Sequence, residues 1–236
     1  MEKINSTAII AARKDSKGIK DKNLQKIGNT PLVEISILQA TRTCKNVLVT
    51  TDSPEIISLA KKYKDVFVVN RNKQLAKDNS PKLPVLQNAI TVAESEGFVC
   101  NDFIFDLQPT SPFRRDDSIL KSYELLKKYD KSSNLVSVSP TSYHPSYNLL
   151  AFKEENGVEL LHKTSEPITG RNMLPSTYKM DGCIFLWKKE ILINNFDNRI
   201  ILSNTIGYKV SKIESLDIDT PEDLDYARYV SKKLFE

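Results

Sequence analysis

Short apolar runs alternate with longer segments of helical period along most of the chain, and this alternation constrains the fold more than any other feature. The apolar runs are mostly unbroken, as expected of strands that helices cover on both faces. They lie at 7–12, 46–51, 66–70, 102–108, 134–140, 183–187 and 206–210. Segments with apolar residues at three- and four-residue steps lie at 30–43, 53–63, 84–97 and 116–130. We therefore predict an α/β fold with a doubly wound, mostly parallel sheet.

Three hydroxyl residues that precede a proline mark expected helix starts. They are Thr30, Ser53 and Thr220. A hydroxyl cap followed by proline at the first helical position is a typical helix beginning. The pattern predicts that a helix begins directly after each of the three residues.

The length predicts one domain with an insertion. A chain of 236 residues, 40% of them hydrophobic, is compatible with one sizeable core, so we predict a single domain over 1–236. The segment 141–180 breaks the alternation. Within it, 148–152 and 158–162 flank the sequence KEENG, which predicts a β-hairpin. Such an insertion is usually a lid, a substrate-recognition flap or an oligomer contact.

Charge, cysteine content and hydropathy exclude several classes of protein. The net charge is only +4, so we predict no nucleic-acid partner. Three cysteines without CxxC spacing indicate neither a disulfide framework nor a zinc site. No stretch reaches the roughly 18 apolar residues of a membrane span, and the first residues lack the apolar core of a secretory signal. We therefore expect a soluble, cytoplasmic protein with no membrane partner.

A cluster of cations follows the first apolar run. Arg13, Lys17 and Lys22 lie there with Ser16 and Gly18. The glycine and its small or polar neighbours are expected to let the backbone turn sharply and present N–H groups to an anion. Ligands of open parallel sheets bind beyond the carboxyl ends of the strands, so the position favours a phosphate site over a merely solvated basic loop. The common phosphate motifs GxxxxGK[ST] and GxGxxG are both absent.

The loop sequence AIIAARKDSKGIKDKN resembles the opening signature of the acylneuraminate cytidylyltransferases, or CMP-sialic acid synthetases, a family that includes CMP-legionaminic and CMP-pseudaminic acid synthetases. The resemblance continues in order through TTDSPEI (50–56), LAKDNSP (75–81), LQPTSPFR (107–114), HP (144–145), GRNMLPSTYKMDGCIF (170–185) and DIDTPEDLDYA (217–227). It covers nearly the whole chain, and it implies a nucleotidyltransferase with a Rossmann-like fold.

The resemblance also implies a reaction. The anomeric hydroxyl of a 2-keto-3-deoxy sugar acid would attack the α-phosphate of CTP, giving a CMP-sugar and pyrophosphate. By resemblance Arg13, Ser16, Lys22 and Asn23 hold the triphosphate, with Lys17 as a further candidate. Fixed cations stabilise the charge that develops on a leaving pyrophosphate, so Lys22 is also a predicted catalytic residue. CTP and a sugar acid are thus the expected partners.

Two acidic residues near the carboxyl terminus predict a metal site. Asp217 and Asp219 are two positions apart, so in an extended segment both carboxylates project to one side and can converge on one hard cation. Mg²⁺ is the expected cofactor, with Asp217 as a direct ligand. Asp219 either shares the metal or takes the proton from the attacking hydroxyl, and both residues are predicted to be catalytic.

Other motifs imply contacts with the remaining parts of the substrates. LAKDNSP matches a family segment that contacts the nucleotide near its base and ribose, which implies binding roles for Asp78 and Ser80. On the sugar side, the resemblance implies that Gln108 binds hydroxyl groups through its amide.

The insertion supplies the other expected sugar contacts. Arg171 is the candidate for the carboxylate, because a guanidinium can form two parallel hydrogen bonds with it. Tyr178 and Asp181 would line the same pocket, whereas His144 has either a structural or a substrate role. The family resemblance further implies a homodimer in which 141–180 reaches towards the partner's active site.

Two rival functions remain open from the sequence. One is a CMP-Kdo synthetase or another sugar nucleotidyltransferase, although the Kdo enzymes typically have an arginine where this chain has Gly18. The other is a non-catalytic nucleotide-binding scaffold, since a fold alone does not establish chemistry. Arg13, Lys22, Asp217 and Asp219 together argue against the scaffold.

Overall fold

The computed structural model describes residues 2–235. Its strands are β1 (Ile4–Ala11), β2 (Lys26–Ile27), β3 (Thr30–Pro31), β4 (Cys44–Thr51), β5 (Val66–Asn70), β6 (Phe103–Asp106), β7 (Asn134–Thr141), β8 (Leu150–Phe152), β9 (Val158–Leu160), β10 (Thr177–Lys188) and β11 (Ile206–Lys209). Its α-helices are α1 (Leu32–Thr43), α2 (Pro54–Ala60), α3 (Lys82–Ser95), α4 (Asp116–Lys128), α5 (Lys189–Ile193) and α6 (Pro221–Phe235).

Seven of these strands form the main sheet, in the order β5-β4-β1-β6-β10-β7-β11. β1 pairs in parallel with β4 and β6, β4 with β5, and β7 with β11. Only β10, among the strands described, runs antiparallel to both of its neighbours, β6 and β7. The predicted mostly parallel sheet is therefore confirmed, whereas the reversed direction of β10 is a finding of the structure.

Neighbouring residues of the central strands enter two different cores. Ala8 and Ile10 pack in a cluster with side chains of α1, α2 and α4, whereas Ile9 between them packs in a second cluster with side chains of α3 and α5. The same alternation places Val47 and Leu48 on opposite faces of β4. The unbroken apolar runs thus have the expected cause, because helices bury both faces of the sheet.

Two of the three predicted helix caps are confirmed. The Ser53 hydroxyl accepts a hydrogen bond of 3.3 Å from the Ile56 N–H at the start of α2. At the start of α6, Thr220 Oγ1 accepts from the Asp223 N–H at 3.2 Å, and Asp223 Oδ2 accepts from the Thr220 N–H at 2.9 Å. This reciprocal pair satisfies two N–H groups that the helix itself leaves free.

The predicted cap at Thr30 is wrong. Thr30 lies in β3 and pairs with Ile27 of β2, in a small antiparallel ribbon that turns at Gly28 with a φ of 59°. Helix α1 begins only at Leu32, whose N–H donates to the Gln25 carbonyl at 2.9 Å. Because the chain is extended throughout this ribbon, the helix does not begin at the proline and begins at the residue after it.

The predicted hairpin is confirmed, and the strand after it is longer than predicted. β8 and β9 pair antiparallel, with Ala151 opposite Glu159. β10 begins at Thr177 because its first four residues pair with the end of β7, and its register shifts between Met180 and Phe185. The part of the predicted insertion that lies outside the main sheet therefore spans 142–176 and includes the hairpin.

Within residues 2–235, no helix is both long enough and apolar enough to cross a bilayer.

Candidate active site

A cleft of about 230 Å³ lies where β1 and β6 end, at the carboxyl edge of the sheet. The predicted site residues that line it are Arg13, Ser16, Lys22, Asn23, Asp78, Ser80 and Gln108. Three loops bring them together, because parallel strands direct their carboxyl ends to the same edge. The structure thus unites residues that are up to 95 positions apart in the chain, from Arg13 to Gln108.

The basic loop after β1 is held by its own polar side chains. The buried Asn23 donates a hydrogen bond of 2.9 Å from Nδ2 to the Arg13 carbonyl. Within this loop Asp21, with a φ of 49°, has the left-handed conformation. Gly18 lies in a bend of this loop but does not have a positive φ, so the predicted sharp turn does not use the left-handed conformation at this residue.

Gly18 instead permits a close approach between the two ends of the chain. A Cβ atom at this position would lie 2.3 Å from the Asp219 carbonyl oxygen. Nearby, Ile19 packs with Ile218 and Leu224 in a small apolar cluster. The basic loop therefore rests directly on the segment that carries the predicted metal ligands.

Lys22 joins the basic loop to the carboxyl-terminal acids. Its Nζ lies 2.8 Å from Asp219 Oδ1 and donates to the Ile218 carbonyl at 2.9 Å. The Ile218 N–H in turn donates to the Thr110 carbonyl at 2.9 Å, which fixes the acidic segment at the edge of the cleft. Lys22 thus contacts a residue that is 197 positions further along the chain.

Asp217 has the chemistry of a metal ligand. Its Oδ1 is buried and has no hydrogen-bond partner among residues 2–235. Burial raises the pKa of Asp217, a contact with Thr110 opposes the rise, and the charge of Asp219 adds to it. A buried carboxylate oxygen without a donor suits a hard divalent cation.

The two carboxylates need further ligands to hold a metal. No cluster of three or more His, Cys, Asp or Glu side chains suited to a metal occurs in the described part of the chain. Mg²⁺ is commonly bound by one or two carboxylates, with phosphate oxygens and waters completing its shell. The donor set at Asp217 and Asp219 fits that pattern.

Asp78 crosses the mouth of the cleft to the basic loop. It accepts a hydrogen bond from Arg13, and its Oδ2 lies 3.2 Å from Lys17 Nζ. The Arg13 guanidinium, together with Lys17, lowers the pKa of Asp78. Lys17 itself is exposed and does not line the cleft, so it reaches the site only at the rim, through Asp78.

Ser80 and Gln108 lie on different walls of the cleft. Ser80 Oγ donates to the Gln74 carbonyl at 3.1 Å, which closes the loop before α3. Gln108 lies against Gly182, where a Cβ would be 2.9 Å from Gln108 Nε2. Gly182 has a φ of 78°, so both its backbone conformation and its contact with Gln108 favour glycine.

The remaining predicted sugar-binding residues do not line the cleft of this chain. Arg171 is exposed in a 3₁₀ turn, and Tyr178 is exposed in β10, where Lys209 Nζ lies 4.6 Å from its ring centre. Asp181 is buried, with Oδ1 accepting from Ser137 Oγ and from the Cys183 N–H.

His144 has contacts within the insertion. Its Nδ1 accepts from the Ser146 N–H at 3.0 Å, and its carbonyl accepts from the N–H groups of Tyr147, Asn148 and Leu149. These bonds fold the turn that follows β7. They account for a structural role of His144 without any substrate.

Several charged residues of the cleft were missed by the sequence reasoning. Lys82 Nζ lies 2.6 Å from Asp106 Oδ2, and both residues line the cleft. Arg71 also lines it, is buried, and donates to the Thr50 carbonyl at 2.6 Å; burial lowers its pKa to about 10. The available signal was position, because Arg71 and Asp106 stand at the carboxyl ends of apolar strands.

A cation-lined cleft at the carboxyl edge of a doubly wound sheet, with two acidic residues at its side, defines a class of α/β enzymes that act on phosphorylated ligands. The family model described as "Cytidylyltransferase" matches residues 7–235 of this chain. The chain therefore belongs to the cytidylyltransferase family and is a nucleotidyltransferase.

Two curated relatives match along almost their whole length. One, named CMP-N,N'-diacetyllegionaminic acid synthase, from Legionella pneumophila, is 32% identical over 97% of this chain and 95% of its own. Its namesake from Campylobacter jejuni is 31% identical over 94% and 92%. The family suggested by the sequence motifs is thereby confirmed.

A solved structure shares the fold. It is a CMP:2-keto-3-deoxy-manno-octonic acid synthetase complexed with CTP, with a TM-score of 0.71 and 15% identity, covering 98% of this chain and 100% of that one. At this identity the likeness establishes the Rossmann-like nucleotidyltransferase fold, which was predicted.

Proposed function

We propose that this protein transfers a cytidylyl group from CTP to a 2-keto-3-deoxy sugar acid, namely sialic acid or a related nonulosonic acid. The products are the CMP-sugar and pyrophosphate. The observation that carries the proposal is the contact of Lys22 with Asp219 and the Ile218 carbonyl, beside the unpartnered oxygen of Asp217. The names of the legionaminic acid relatives support a nine-carbon sugar acid as the acceptor.

In this reaction the anomeric oxygen of the sugar acid forms a bond to the α-phosphorus of CTP. The bond from the α-phosphorus to the bridging oxygen of the pyrophosphate breaks, and pyrophosphate leaves. The proton of the attacking hydroxyl goes to Asp219 or to water. Bound Mg²⁺, held by Asp217 and Asp219, would neutralise phosphate charge during the transfer.

The cations of the cleft bind the triphosphate. Arg13 is paired with Asp78, and Lys22 with Asp219. A triphosphate offers these cations stronger acceptors than a single carboxylate, so we propose that it takes over both contacts. Ser16 and Asn23 complete the phosphate contacts, and Asp78 and Ser80 then face the nucleoside.

The sugar acid binds on the side of the cleft formed by Gln108 and by the bulge of β10, where the register of this strand shifts between Met180 and Phe185. Gln108 donates to and accepts from sugar hydroxyls. Asp181, buried beside Gly182, positions the bulge against which Gln108 lies. Tyr178 and Arg171 lie outside this cleft, so we propose that they act across a homodimer interface.

Exposed apolar side chains of the insertion support the homodimer. Leu150, Phe152, Val158, Leu161 and Met173 are all more than half exposed, and Phe152 is 83% exposed. Apolar groups concentrated on one segment mark a protein contact surface. The location that we propose for the reaction is the cytoplasm, where CTP is available.

Gly18 supports this function over that of a CMP-Kdo synthetase. An arginine at this position would bring its Cβ to 2.3 Å from the Asp219 backbone, so the loop of this chain is built for glycine. The non-catalytic scaffold is opposed by the intact contact between Lys22 and the acidic segment.

A turnover assay tests the proposal. Purified protein with CTP, Mg²⁺ and a panel of sugar acids, including sialic, legionaminic, pseudaminic and Kdo acids, should release pyrophosphate with at least one nine-carbon acid. Asp217→Asn should lower kcat by about 100-fold or more while the circular dichroism spectrum stays unchanged.

Two results would contradict the proposal. Release of pyrophosphate with Kdo alone would assign the rival activity. Binding of CTP without pyrophosphate release for every acid would assign the scaffold function.

A further inference from the structure

The ion pair between Lys82 and Asp106 has no role in the function described so far. Asp106 ends β6 and is 1% exposed, whereas the Lys82 side chain is 30% exposed and faces the cleft. Lys82 Nζ also lies 4.3 Å from the centre of the Phe185 ring. The ammonium group of Lys82 therefore contacts a carboxylate and the face of an aromatic ring. It still has N–H groups that can donate to a ligand.

This arrangement does not have the features of a stabilising contact. Lys82 is the first residue of α3, and no acidic residue or side-chain cap lies in its first turn. A cation at a helix N-terminus opposes the helix dipole. Burying the carboxylate of Asp106 costs desolvation free energy that a single ion pair only partly offsets. Binding of an anion explains a lysine at this place better than stability does.

Lys82 lies between the two halves of the reaction centre. Phe185 is paired with Asp106 across the sheet, and Gly182 of the same strand contacts Gln108, the proposed sugar ligand. On the other side, Lys82 lines the same cleft as Lys22, which contacts Asp219. Lys82 thus shares the cleft with Gln108 on the acceptor side and with the lysine that contacts the acidic segment.

The chemistry of the acceptor requires a cation at such a position. In a 2-keto-3-deoxy sugar acid the carboxylate and the attacking hydroxyl are attached to the same carbon atom. When that hydroxyl is close enough to attack the α-phosphorus, about 3–3.5 Å away, the carboxylate must lie beside the reaction centre as well. Unless a cation meets it there, the carboxylate repels the triphosphate and loses its solvation.

We propose that Lys82, held by Asp106 over Phe185, binds the carboxylate of the sugar acid and so places the anomeric hydroxyl for attack. The inference rests on the proposed function. Asp106 is a positioning residue in this arrangement, since it orients the ammonium group and does not contact the substrate. A carboxylate accepts several hydrogen bonds, so Arg171 of the partner subunit can contact it in addition.

The experiment compares each sugar acid with its methyl ester, which removes the charge of the carboxylate and keeps the attacking hydroxyl. For the wild-type protein, kcat/KM should be about 10- to 100-fold higher for the acid, as expected for hydrogen bonds to a charged group. In Lys82→Gln this preference should fall at least about 5-fold through a raised KM for the acid, with any remaining preference due to Arg171 and the KM for CTP changed by less than about 3-fold. Lys82→Arg should recover most of the preference, because it keeps the charge.

Two further variants control for misfolding and for a general effect of removing a positive charge. Lys82→Gln leaves the buried Asp106 without its ion pair, so the double variant Lys82→Gln/Asp106→Asn removes both charges of that pair and should show the same loss of preference in a folded protein. Lys73→Gln makes the same charge change outside the cleft and should behave as the wild type.

The outcomes separate the inference from the function on which it rests. If the wild-type protein turns over a sugar acid and the double variant keeps the full wild-type preference for the acid over the ester, the inference is wrong and the function stands. A rise in the KM for CTP alone would assign Lys82 to the nucleotide and also overturn the inference. If the wild-type protein releases no pyrophosphate with any acid, the function and the inference fail together.

Discussion

Gly18 is required because two backbone segments lie too close together at this position for any side chain to fit between them. Its φ is not positive, so the conformational freedom of glycine is not the reason for its presence. The reason is the Asp219 carbonyl oxygen, which occupies the space where a side chain would begin. Lys22, four residues further on, contacts the same acidic residue at 2.8 Å.

Gly18→Ala should therefore displace the acidic segment from the basic loop. We expect kcat to fall at least about 10-fold, since a misplacement of about 1 Å at a reaction centre can cost about 100-fold. The measurement is steady-state kinetics together with the Mg²⁺ concentration needed for half-maximal rate, which should rise.

Gly207→Ala in β11 is the matched control. Its added Cβ would meet Val138 at an ordinary distance of 3.5 Å, far from the cleft residues. We expect its kinetics to stay within about 2-fold of the wild type. Equal losses in the two variants would mean that the contact of Gly18 with Asp219 is not the cause.

Among the contacts between elements, a hydrogen bond joins α1 to the turn that follows α2. The Tyr63 hydroxyl, which follows α2, donates to Glu34 Oε1 of α1 at 2.6 Å. Burial, reinforced by this hydrogen bond to a carboxylate, raises the pKa of Tyr63 to about 12. The neutral phenol is therefore favoured in the folded chain over the unfolded one, where its pKa is about 10.

The contact makes a pH-dependent contribution to stability. A folded-state pKa above the unfolded value means that the contribution is complete below about pH 10 and is lost as the pH rises to about 12. Tyr63→Phe should lower the free energy of unfolding by about 1 kcal/mol at neutral pH. The difference from the wild type should shrink between pH 10 and pH 12.

Urea titrations at the two ends of this range measure the effect. The control is Tyr129→Phe, since Tyr129 is 51% exposed, and this change should alter the free energy of unfolding by less than about 0.5 kcal/mol at neutral pH. A difference for Tyr63→Phe that stays constant up to pH 12 would show that the hydrogen bond to Glu34 does not contribute.

At the scale of the whole molecule, the site depends on the meeting of the two ends of the chain. Ile19, Ile27 and Leu32 pack with Ile218 and Leu224, which holds α6 against the loop after β1. On the acceptor side, Arg171 lies outside the cleft of its own chain. A second copy of the chain is the proposed source of that residue.

Mixing two defective variants tests whether the sites are shared between subunits. Arg171→Ala should raise the KM for the sugar acid, and Asp217→Asn should abolish turnover. In a mixed dimer, one cleft receives Arg171 from one chain and Asp217 from the other. Co-expression of the two variants should restore about a quarter of the wild-type rate at limiting sugar acid, because half of randomly paired dimers are mixed and each has one complete cleft.

Two results would contradict a site that is shared between subunits. A monomer in size-exclusion chromatography with light scattering would exclude it. A co-expressed mixture no more active than the mean of the two variants would place Arg171 in the cleft of its own chain.

Features that depend on local pattern could be predicted from the sequence. Unbroken apolar runs such as 46–51 predicted strands buried on both faces, and Ser53 and Thr220 predicted caps, because each of these signals is complete within a few residues. The family motifs likewise predicted roles for Lys22 and Asp217, and these roles stay predictions.

Features that depend on contacts between distant segments could not be predicted from local pattern and are known only from the three-dimensional structure. The reversed direction of β10, the approach of Gly18 to Asp219 and the pairing of Lys82 with Asp106 are each made by residues that are far apart in the chain. Periodicity reports which face of an element is buried, but not which other element covers it. The same limit explains the failed cap at Thr30, where pairing with Ile27 overrode a local helix signal.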